Sequence, residues 1–398
     1  ESDRAREGRD EGDSAGCCWT SMPLAHVSEG TLPPHIEEQR TRVAIHNDAP
    51  RHTATVEAAG AYFTSGVDNS FSLDRFRRDL KIEVQSLDEE EIVFDIIGID
   101  AAIANAFRRI LIAEVPTMAI DKVFVLNNTS MTEDEVLAHR LGLIPIKADP
   151  RMFRERVGDE DPDEHHVIAF RLEVKCERAQ DQGGGRTGAK GGSSNTSGVE
   201  AEMINSRVLS GALQWIPQGD QEERFRDSPI RPVHDDILIA KLRPGQAITL
   251  EAWCEKGTAK THAKWSPVAT ASYRLLPEVT FKQKVTGDAA HELVSKCPMG
   301  VFDVEDLGGV VTAVAARPRS CSMCRECIRE PEWDDRIKLS RVRDHFIFSI
   351  ESTGILPPEV LFGEATKVLM QKAADLGQLL KDAVVGQGGG GVPEGGVQ

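Results

Sequence analysis

The chain lacks several features that define whole classes of protein. Its 398 residues contain no apolar run long enough to cross a bilayer, and residues 1–30 lack the apolar core of a signal peptide. We therefore expect neither a membrane protein nor a secreted one. The 8 cysteines are too few for a disulfide scaffold in a chain of this length, so we expect a reducing compartment, the cytosol or the nucleus.

Positive charge is also in short supply. Lysine and arginine number 47 against 64 aspartate and glutamate residues, which gives a net charge of −17. Proteins that grip nucleic acid themselves usually carry a basic face, because neutralising phosphates supplies most of the affinity. No lysine- or arginine-rich run with interleaved aromatic residues is found. The charge balance predicts protein partners, with DNA reached only indirectly through a larger complex.

Catalytic motifs are missing as well. The glycine-rich run at 183–192 ends in Ala189-Lys190 rather than Gly-Lys-Ser/Thr, and it does not stand between a strand and a helix as a phosphate loop would. His234, Asp235 and Asp236 fit a turn before a strand better than a catalytic cluster. No nucleophile–base–acid set stands out, so we predict no catalytic residues.

A short helix predicted over 101–114 is the most informative segment. Asp100 can cap it, and Pro116 ends it. Its apolar stripe has helical spacing and is expected to face either a dimer partner or the domain's own sheet: Ile103, Ala106, Phe107, Ile110 and Leu111. On the far side, Ile112 lies beside Arg108 and Arg109, which predicts a second face available for binding, as in a part of an assembly.

A second, longer helix is predicted from Pro358 to about Val385, because proline is well placed at a first helical position. Its apolar side comprises Leu361, Ala365, Val368, Leu369, Leu376, Leu379 and Leu380. Of these, Leu361, Val368, Leu369 and Leu376 are expected to contribute to the partner surface. Glu114 falls inside the stripe of the first helix and must reach solvent or a cation. Alternation predicts strands at 80–97, 117–126, 167–176 and 346–351, and a strand pair at 237–242 and 247–254.

Cysteines recur at a spacing that is typical of a metal site. Cys321, Cys324 and Cys327 have the C-x₂-C-x₂-C spacing of an iron–sulfur loop, and Cys297 supplies a fourth thiol. A hairpin formed by 301–307 and 310–316 would bring these positions together. The spacing favours a structural 4Fe–4S cluster, zinc is the second candidate, and a loop of reduced thiols is the third. Cys176 and Cys254 stand alone and are expected as buried small hydrophobes.

Several segments resemble one family. NAFRRILIAEVPTMAI in 105–120 is similar to the signature of alpha-like subunits of DNA-dependent RNA polymerases. The segments that strengthen the match are LAHRLGLIPI, RPVHDDILIAKLRPGQ, HAKWSPVATASYRLLPE and RVRDHFIFSIESTGILPPE. Together they resemble the larger alpha-like subunit shared by eukaryotic RNA polymerases I and III, over about 71–382.

The resemblance implies an α+β fold with a split dimerisation domain. The implied parts are a largely disordered or extended segment at 1–70, a discontinuous dimerisation domain at 71–121 and 336–385, an inserted mainly-β domain at 122–280 with a flexible loop at 181–199, a small ferredoxin-like insertion at 281–335 and a disordered tail at 386–398. The ferredoxin-like insertion is implied by its likeness to that of archaeal polymerase subunits.

The resemblance also implies a function. The chain would be a non-catalytic nuclear subunit that pairs with a smaller alpha-like subunit, and the pair would carry the largest and second-largest polymerase subunits. The equivalent subunit of RNA polymerase II or of an archaeal polymerase is the first alternative. A stand-alone iron–sulfur redox protein is the second, from a different class.

Overall fold

The computed structural model describes residues 32–53, 71–156, 158, 162–178, 203–306 and 308–387. The predicted flexible loop at 181–199 lies outside these residues, as do the first 31 residues of the N-terminal segment and the tail from 388 onward. None of the helices in the described ranges is long and apolar enough to cross a membrane.

The described ranges contain both helices and strands. The helices are α1 (Pro34–Thr41), α2 (Leu73–Asp79), α3 (Ala101–Ala113), α4 (Asp134–Gly142), α5 (Gln221–Arg224), α6 (Asp288–Lys296), α7 (Pro331–Asp334) and α8 (Pro358–Gln387). The strands are β1 (Arg42–Ile45), β2 (Pro50–Arg51), β3 (Lys81–Leu87), β4 (Glu91–Ile97), β5 (Thr117–Asn128), β6 (Ile146–Lys147), β7 (Val167–Lys175), β8 (Glu177–Arg178), β9 (Met203–Ile204), β10 (Arg207–Leu209), β11 (Gln214–Ile216), β12 (Arg231–Pro232), β13 (Leu238–Lys241), β14 (Ala247–Gly257), β15 (Val268–Phe281), β16 (Phe302–Asp306), β17 (Val311–Ala315) and β18 (Ile337–Ser352).

Six strands form an antiparallel sheet around the long strand β18. The long strand β18 pairs with β15 along one side, while β4 and β1 share its other side. β3 extends the sheet beyond β4 and is an edge strand, and α3 and α8 pack on one face. The alternation of β18 explains this arrangement, because Phe346, Phe348 and Ile350 all point into the core under the two helices.

β15 corrects one predicted boundary. The sequence places residues 268–280 in the inserted β domain, whereas β15 pairs with β18 from Val268 to Phe281 and belongs to the six-stranded sheet. Alternation along a strand shows which side is apolar, but it does not reveal which distant strand is its neighbour. At the other boundary, β5 begins at Thr117 and pairs with β14 along its length, so it belongs to the inserted domain.

The inserted domain has its own sheet and core. Its strands follow the order β11-β7-β14-β5, and the buried side chains include Cys176 and Cys254, as predicted. The predicted strands at 237–242 and 247–254 are present as β13 and β14, but they do not pair with each other. β13 pairs with β10, and β14 lies between β7 and β5.

Two further parts flank the sheet. The cysteine-bearing insertion consists of α6, the predicted hairpin β16–β17 and α7, and its core includes Ile337 and Leu339 of β18. The N-terminal segment at 32–53 is more ordered than predicted. It forms α1 and β1, and Arg42 of β1 makes a salt bridge of 2.8 Å with Glu278 of β15. An ion pair between residues so far apart in the chain cannot be predicted from the periodicity of the sequence.

Candidate partner-binding helices and cysteine loop

The start of α3 is fixed by two local features. The side chain of Asp100 accepts a hydrogen bond from the backbone N–H of Ala102, which confirms the predicted cap. Just before it, Gly98 has φ +82° and donates its N–H to the backbone oxygen of Asp344 at 2.8 Å. A Cβ at this position would lie 2.5 Å from the backbone oxygen of Asp79. Only glycine fits where β4 turns into α3.

The packing of α3 resolves the predicted stripe. Ile110 and Leu111 are fully buried against the domain's own sheet, together with Ala104. Ile103 and Phe107 are half-buried against the same core. Ile110 and Leu111 therefore lie inside the subunit rather than on a partner surface, and Ala106 is half-buried near the surface.

The far side of α3 differs from the prediction. Ile112 is half-buried and packs against the core rather than pointing freely into solvent. Since α3 contacts β15 and β18 as well as α8, more than one side of the helix meets the subunit itself. Arg108 is half-buried and donates to Asn105 Oδ1 at 3.0 and 3.2 Å, while Arg109 is exposed.

α3 and α8 contact each other through an aromatic cluster and through an ion pair. The ring of Phe362 lies 5.1 Å from that of Phe107 and 4.9 Å from that of Phe94, measured between centroids. Further along, Glu114 accepts from Lys372 of α8 at 3.0 Å and lies 3.3 Å from Lys260. Burial raises the pKa of Glu114, but the two ammonium groups lower it by more than burial raises it. The pKa of Glu114 therefore lies below its ordinary value. Of the two outcomes expected for Glu114, solvent or a cation, the structure shows the second.

α8 changes character along its length. Leu361 is fully buried in the subunit core, and Val368 and Leu369 are half-buried against it. Between Met370 and Leu380 the apolar side chains are exposed to solvent, and Leu376, Leu379 and Leu380 are 59%, 66% and 59% exposed. At about 100° per residue, Leu369, Leu376 and Leu380 fall on one side of the helix. The distal part of α8 thus carries an apolar stripe that no described residue covers.

The four predicted metal ligands lie in or beside one small core. Cys321 and Cys327 are buried, Cys297 is half-buried and Cys324 is exposed. Burial, together with the neighbouring thiols, raises the pKa of Cys321, and it raises that of Cys327 to about 12. Within the described residues, no three or more His, Cys, Asp or Glu side chains converge closely enough to hold a metal ion.

The backbone of the cysteine loop is nevertheless unusual. Met323 and Arg325, on either side of Cys324, have φ of 59° and 65°, a left-handed conformation that non-glycine residues rarely adopt. Such residues concentrate at ligand clamps and functional loops. The backbone N–H of Val301 also donates to the sulfur of Cys297 at 3.4 Å. The donor set is of the type that iron–sulfur clusters and zinc take, although the four sulfurs do not converge on one point.

An ion-pair network that the sequence analysis missed joins this loop to the sheet. Asp95 of β4 is buried and accepts from both guanidinium nitrogens of Arg319, each at 2.7 Å, from His345 at 3.1 Å and from Gln85 at 3.2 Å. Burial raises the pKa of Asp95, but Arg319 and His345 lower it by more than burial raises it. The pKa of Asp95 therefore lies below its ordinary value. The sequence contains a signal for this buried ion pair, since Asp95 is the one charged residue between Ile92 and Ile97 and would need a partner in an apolar strand.

Comparison with known proteins agrees with this architecture. Residues 93–373 match the family model of the RNA polymerase Rpb3/Rpb11 dimerisation domain. The chain is 48% identical over 349 residues to subunit rpac1 of DNA-directed RNA polymerases I and III from Dictyostelium discoideum, covering 87% of this chain and 95% of that protein. It is 49% identical over 338 residues to RPAC1 of polymerases I and III from Homo sapiens, covering 85% and 94%.

A comparison within one organism separates the two polymerase alternatives. Identity to the RNA polymerase II subunit rpb3 of Dictyostelium discoideum is 31% over 317 residues, covering 77% of this chain and 97% of that protein. The chain therefore belongs to the family of alpha-like polymerase subunits that contain the Rpb3/Rpb11 dimerisation domain. Within that family it belongs with the non-catalytic subunits shared by RNA polymerases I and III, and the polymerase II alternative is not favoured.

Proposed function

We propose that the chain is an assembly subunit of RNA polymerases I and III. It pairs with a smaller alpha-like subunit, and the pair forms the platform for the two large catalytic subunits that make ribosomal, 5S and transfer RNA. The matched dimerisation domain supports the pairing, and the names of the relatives support the choice of polymerases. The net charge of −17 supports an indirect relation to DNA. A nuclear location follows, in the nucleolus for polymerase I and the nucleoplasm for polymerase III.

The observation that carries this proposal is the exposed stripe on distal α8. Three exposed leucines within five residues form an apolar surface that is unfavourable in water unless a partner covers it. They continue from the part of α8 that packs against α3, next to the region that matches the dimerisation domain. Obligate interfaces of this kind bury about 2,000 Å² or more and resemble a divided core.

A pull-down with matched variants tests the pairing. The tagged chain is co-expressed with the smaller alpha-like subunit of the same organism and analysed by size-exclusion chromatography. Leu376→Asp with Leu380→Asp should abolish the heterodimer, because the two carboxylates would be buried without partners. The control, Gln371→Asp with Gln378→Asp, adds the same charge to exposed positions on the opposite side of α8. Equal co-elution of both variants would contradict the proposal.

We further propose that Arg108 and Arg109, at the surface of α3, bind a large subunit. Arg109 is exposed, and the side chain of Arg108 is held by Asn105. Arg108→Glu with Arg109→Glu should leave the heterodimer intact and remove the large subunits from an affinity purification of the chain. Recovery of the large subunits at the wild-type level would contradict this docking face.

We also propose that Cys297, Cys321, Cys324 and Cys327 bind a 4Fe–4S cluster, with zinc as the competing occupant. The thiol-only donor set, the left-handed backbone beside Cys324 and the amide donated to Cys297 support this assignment. A bound cluster would supply a cross-link between the C-terminal end of α6, where Cys297 lies, and the loop that carries the other three cysteines. It would take the thiols as thiolates and so displace their protons.

Elemental analysis of protein purified without oxygen tests the cluster. We expect about four iron and four sulfide per chain with the broad visible absorbance of a cluster. The double variant Cys321→Ala and Cys327→Ala should lose both, while Cys176→Ala, which removes a buried thiol from the inserted domain, should retain them. One zinc per chain would establish the competing occupant, and the absence of iron and zinc would overturn both.

A further inference from the structure

The first two strands of the described chain form a hairpin at one edge of the six-stranded sheet. β1 pairs with β18 over its four residues, and β2 folds back on β1. The turn between them is closed by a hydrogen bond of 3.2 Å from the backbone N–H of His46 to the backbone oxygen of Ala49. We call β1, β2 and this turn the N-terminal hairpin. Its place in the sheet is set by backbone pairing with β18.

Arg325 joins the cysteine loop, residues 321–327, to the turn of this hairpin. Its Nη1 donates hydrogen bonds to the backbone oxygens of Asn47 and Asp48, at 3.4 and 3.2 Å. Arg325 directly follows Cys324 and stands two residues before Cys327. The guanidinium group therefore connects the middle of the thiol-bearing loop to a turn that lies 278 residues earlier in the chain.

Two further contacts join the N-terminal hairpin to the cysteine insertion. Nδ1 of His46 lies 3.7 Å from Oδ2 of Asp334 in α7, and Ile45 packs against the core that contains Cys321 and Cys327. A cavity of about 290 Å³ is lined by residues of both parts, among them His46 and Asp334. The hairpin is thus attached to the insertion at separate points rather than by a continuous packed surface, so one attachment can be removed by itself.

The backbone of the cysteine loop is held in a costly conformation at the same place. Met323 and Arg325, on either side of Cys324, have φ of 59° and 65°. Such values in residues other than glycine persist only where surrounding contacts hold them. The hydrogen bonds of Arg325 are contacts of this kind, because they fix its side chain to a hairpin that is itself paired with β18. Docking of the hairpin therefore supports the turn at Cys324.

We propose that the N-terminal hairpin is a clasp that positions the cysteine loop, with Arg325 as the positioning residue, and that docking of the hairpin and binding of a metal by the four thiols strengthen each other. The second half of the inference rests on the proposed metal site, whereas the first half concerns the chain alone. Arg325 acts through the backbone on which Cys324 and Cys327 stand.

The direction of the coupling follows from where the thiols lie when the hairpin is docked. Cys321 and Cys327 are then buried in one core, and Cys297 packs against it. A loop released from the hairpin would have to recover this arrangement before it bound a metal, which lowers the apparent affinity by the fraction of chains that have it. Because coupling between two sites is reciprocal, a bound metal must in turn hold the hairpin in place.

Hydrogen exchange of the whole chain, with metal removed by a chelator, tests the clasp. Arg325→Gly deletes the two side-chain hydrogen bonds and relieves the left-handed backbone, so that the effect of the contact is separated from that of strain. We expect the amides in 46–51 to exchange at least about fivefold faster than in wild type. Arg329→Ala is the control, because it removes the same charge from a nearby exposed residue, and it should leave the exchange within about twofold. Circular dichroism checks that both variants are folded.

A titration with zinc alone, as the probe of the four thiols, tests the coupling. The Kd for zinc, measured by competition with a chromophoric chelator, should be at least about fivefold higher in Arg325→Gly than in wild type and within about twofold in Arg329→Ala. Zinc should also slow the exchange of 46–51 in the wild-type chain, and Arg325→Gly should lose most of this effect. A residue that only contributed to general stability would not make exchange in the hairpin depend on zinc.

The outcomes distinguish the clasp from the metal site. Unchanged exchange of 46–51 in Arg325→Gly would show that the hairpin is not a clasp. Equal zinc affinity of the wild type and Arg325→Gly would overturn the coupling. If the wild-type chain bound neither zinc nor iron, the proposed metal site would be wrong and the coupling with it, while exchange in the metal-free chain would still decide whether the hairpin positions the loop.

Discussion

Arg319 and Asp95 form a bidentate ion pair between the cysteine loop and the dimerisation sheet. Nη1 of Arg319 lies 2.7 Å from Oδ2 of Asp95, and Nη2 lies 2.7 Å from Oδ1. Asp95 projects from β4 on the face opposite to Phe94, so the loop covers the side of the sheet that the helices leave open. Arg319 stands two residues before Cys321 in the sequence. The backbone oxygen of Cys321 accepts a hydrogen bond from Arg274 at 3.4 Å. The cysteine insertion and the helices α3 and α8 therefore pack on opposite faces of one sheet.

Removing the cation of this pair should destabilise the chain. Arg319→Met leaves the carboxylate of Asp95 buried with only its hydrogen bonds to His345 and Gln85, and we expect a loss of about 3 kcal/mol in the free energy of unfolding. Urea denaturation measures it. Arg329→Met is the control, since Arg329 is exposed and pairs with nearby Glu326, and it should change stability by less than about 0.5 kcal/mol. Similar losses in both variants would show that the buried pair contributes no more to stability than the exposed pair.

The ion pairs of Glu114 predict a pH dependence of stability. The pKa of Glu114 is lower in the folded chain than its ordinary value of 4.5, so its contribution is fully present above that value and is lost as the pH falls through the folded pKa. At neutral pH, Glu114→Gln should cost about 1 kcal/mol, because Lys260 and Lys372 are partly exposed. The difference between wild type and variant should shrink as the pH falls below the ordinary pKa. A difference that stayed constant between neutral and strongly acidic pH would contradict this explanation.

Two glycines should respond to alanine in opposite directions. Gly98→Ala requires a left-handed alanine whose Cβ would meet the backbone of Asp79 at 2.5 Å, and we expect a loss of at least about 2 kcal/mol. Gly363 lies in α8, and a Cβ there would meet nothing within 4 Å. Gly363→Ala should stabilise the chain by about 0.5–1 kcal/mol through helix propensity. Thermal unfolding of both variants checks the signs, and a destabilising Gly363→Ala would require a contact that the packing of α8 does not show.

The sequence predicts those parts of the fold that depend on near neighbours. The cap at Asp100, the stripe on α3, the long helix from Pro358 and the hairpin β16–β17 all follow from patterns within a few turns or a few residues. The family could be recognised because its motifs are long. What could not be predicted depends on residues far apart in the chain. The membership of β15 in the dimerisation sheet requires its register with β18, which no local pattern contains.

The candidate site shows the same division. Leu376 is exposed and Leu361 is buried, although both have the helical spacing of one apolar side. Periodicity identifies that side, but only the position of the sheet decides where along α8 the core ends. Ile112 would point outward if α3 packed on one side alone. Its half-burial follows from the contacts of α3 with two strands and α8.

Phe362 and Leu376 should separate the fold of this subunit from its interface. Phe362 packs between Phe94 and Phe107, so Phe362→Ala should cost about 2 kcal/mol in the isolated chain, less than a fully buried phenylalanine because the side chain is half-buried. Leu376→Ala should leave the stability of the isolated chain within about 0.5 kcal/mol, because its side chain contacts solvent. In a binding titration with the smaller alpha-like subunit, Leu376→Ala should weaken the complex severalfold. If Leu376→Ala instead lowered the stability of the isolated chain and left binding unchanged, distal α8 would be part of the subunit's own core and the stripe would not be a partner surface.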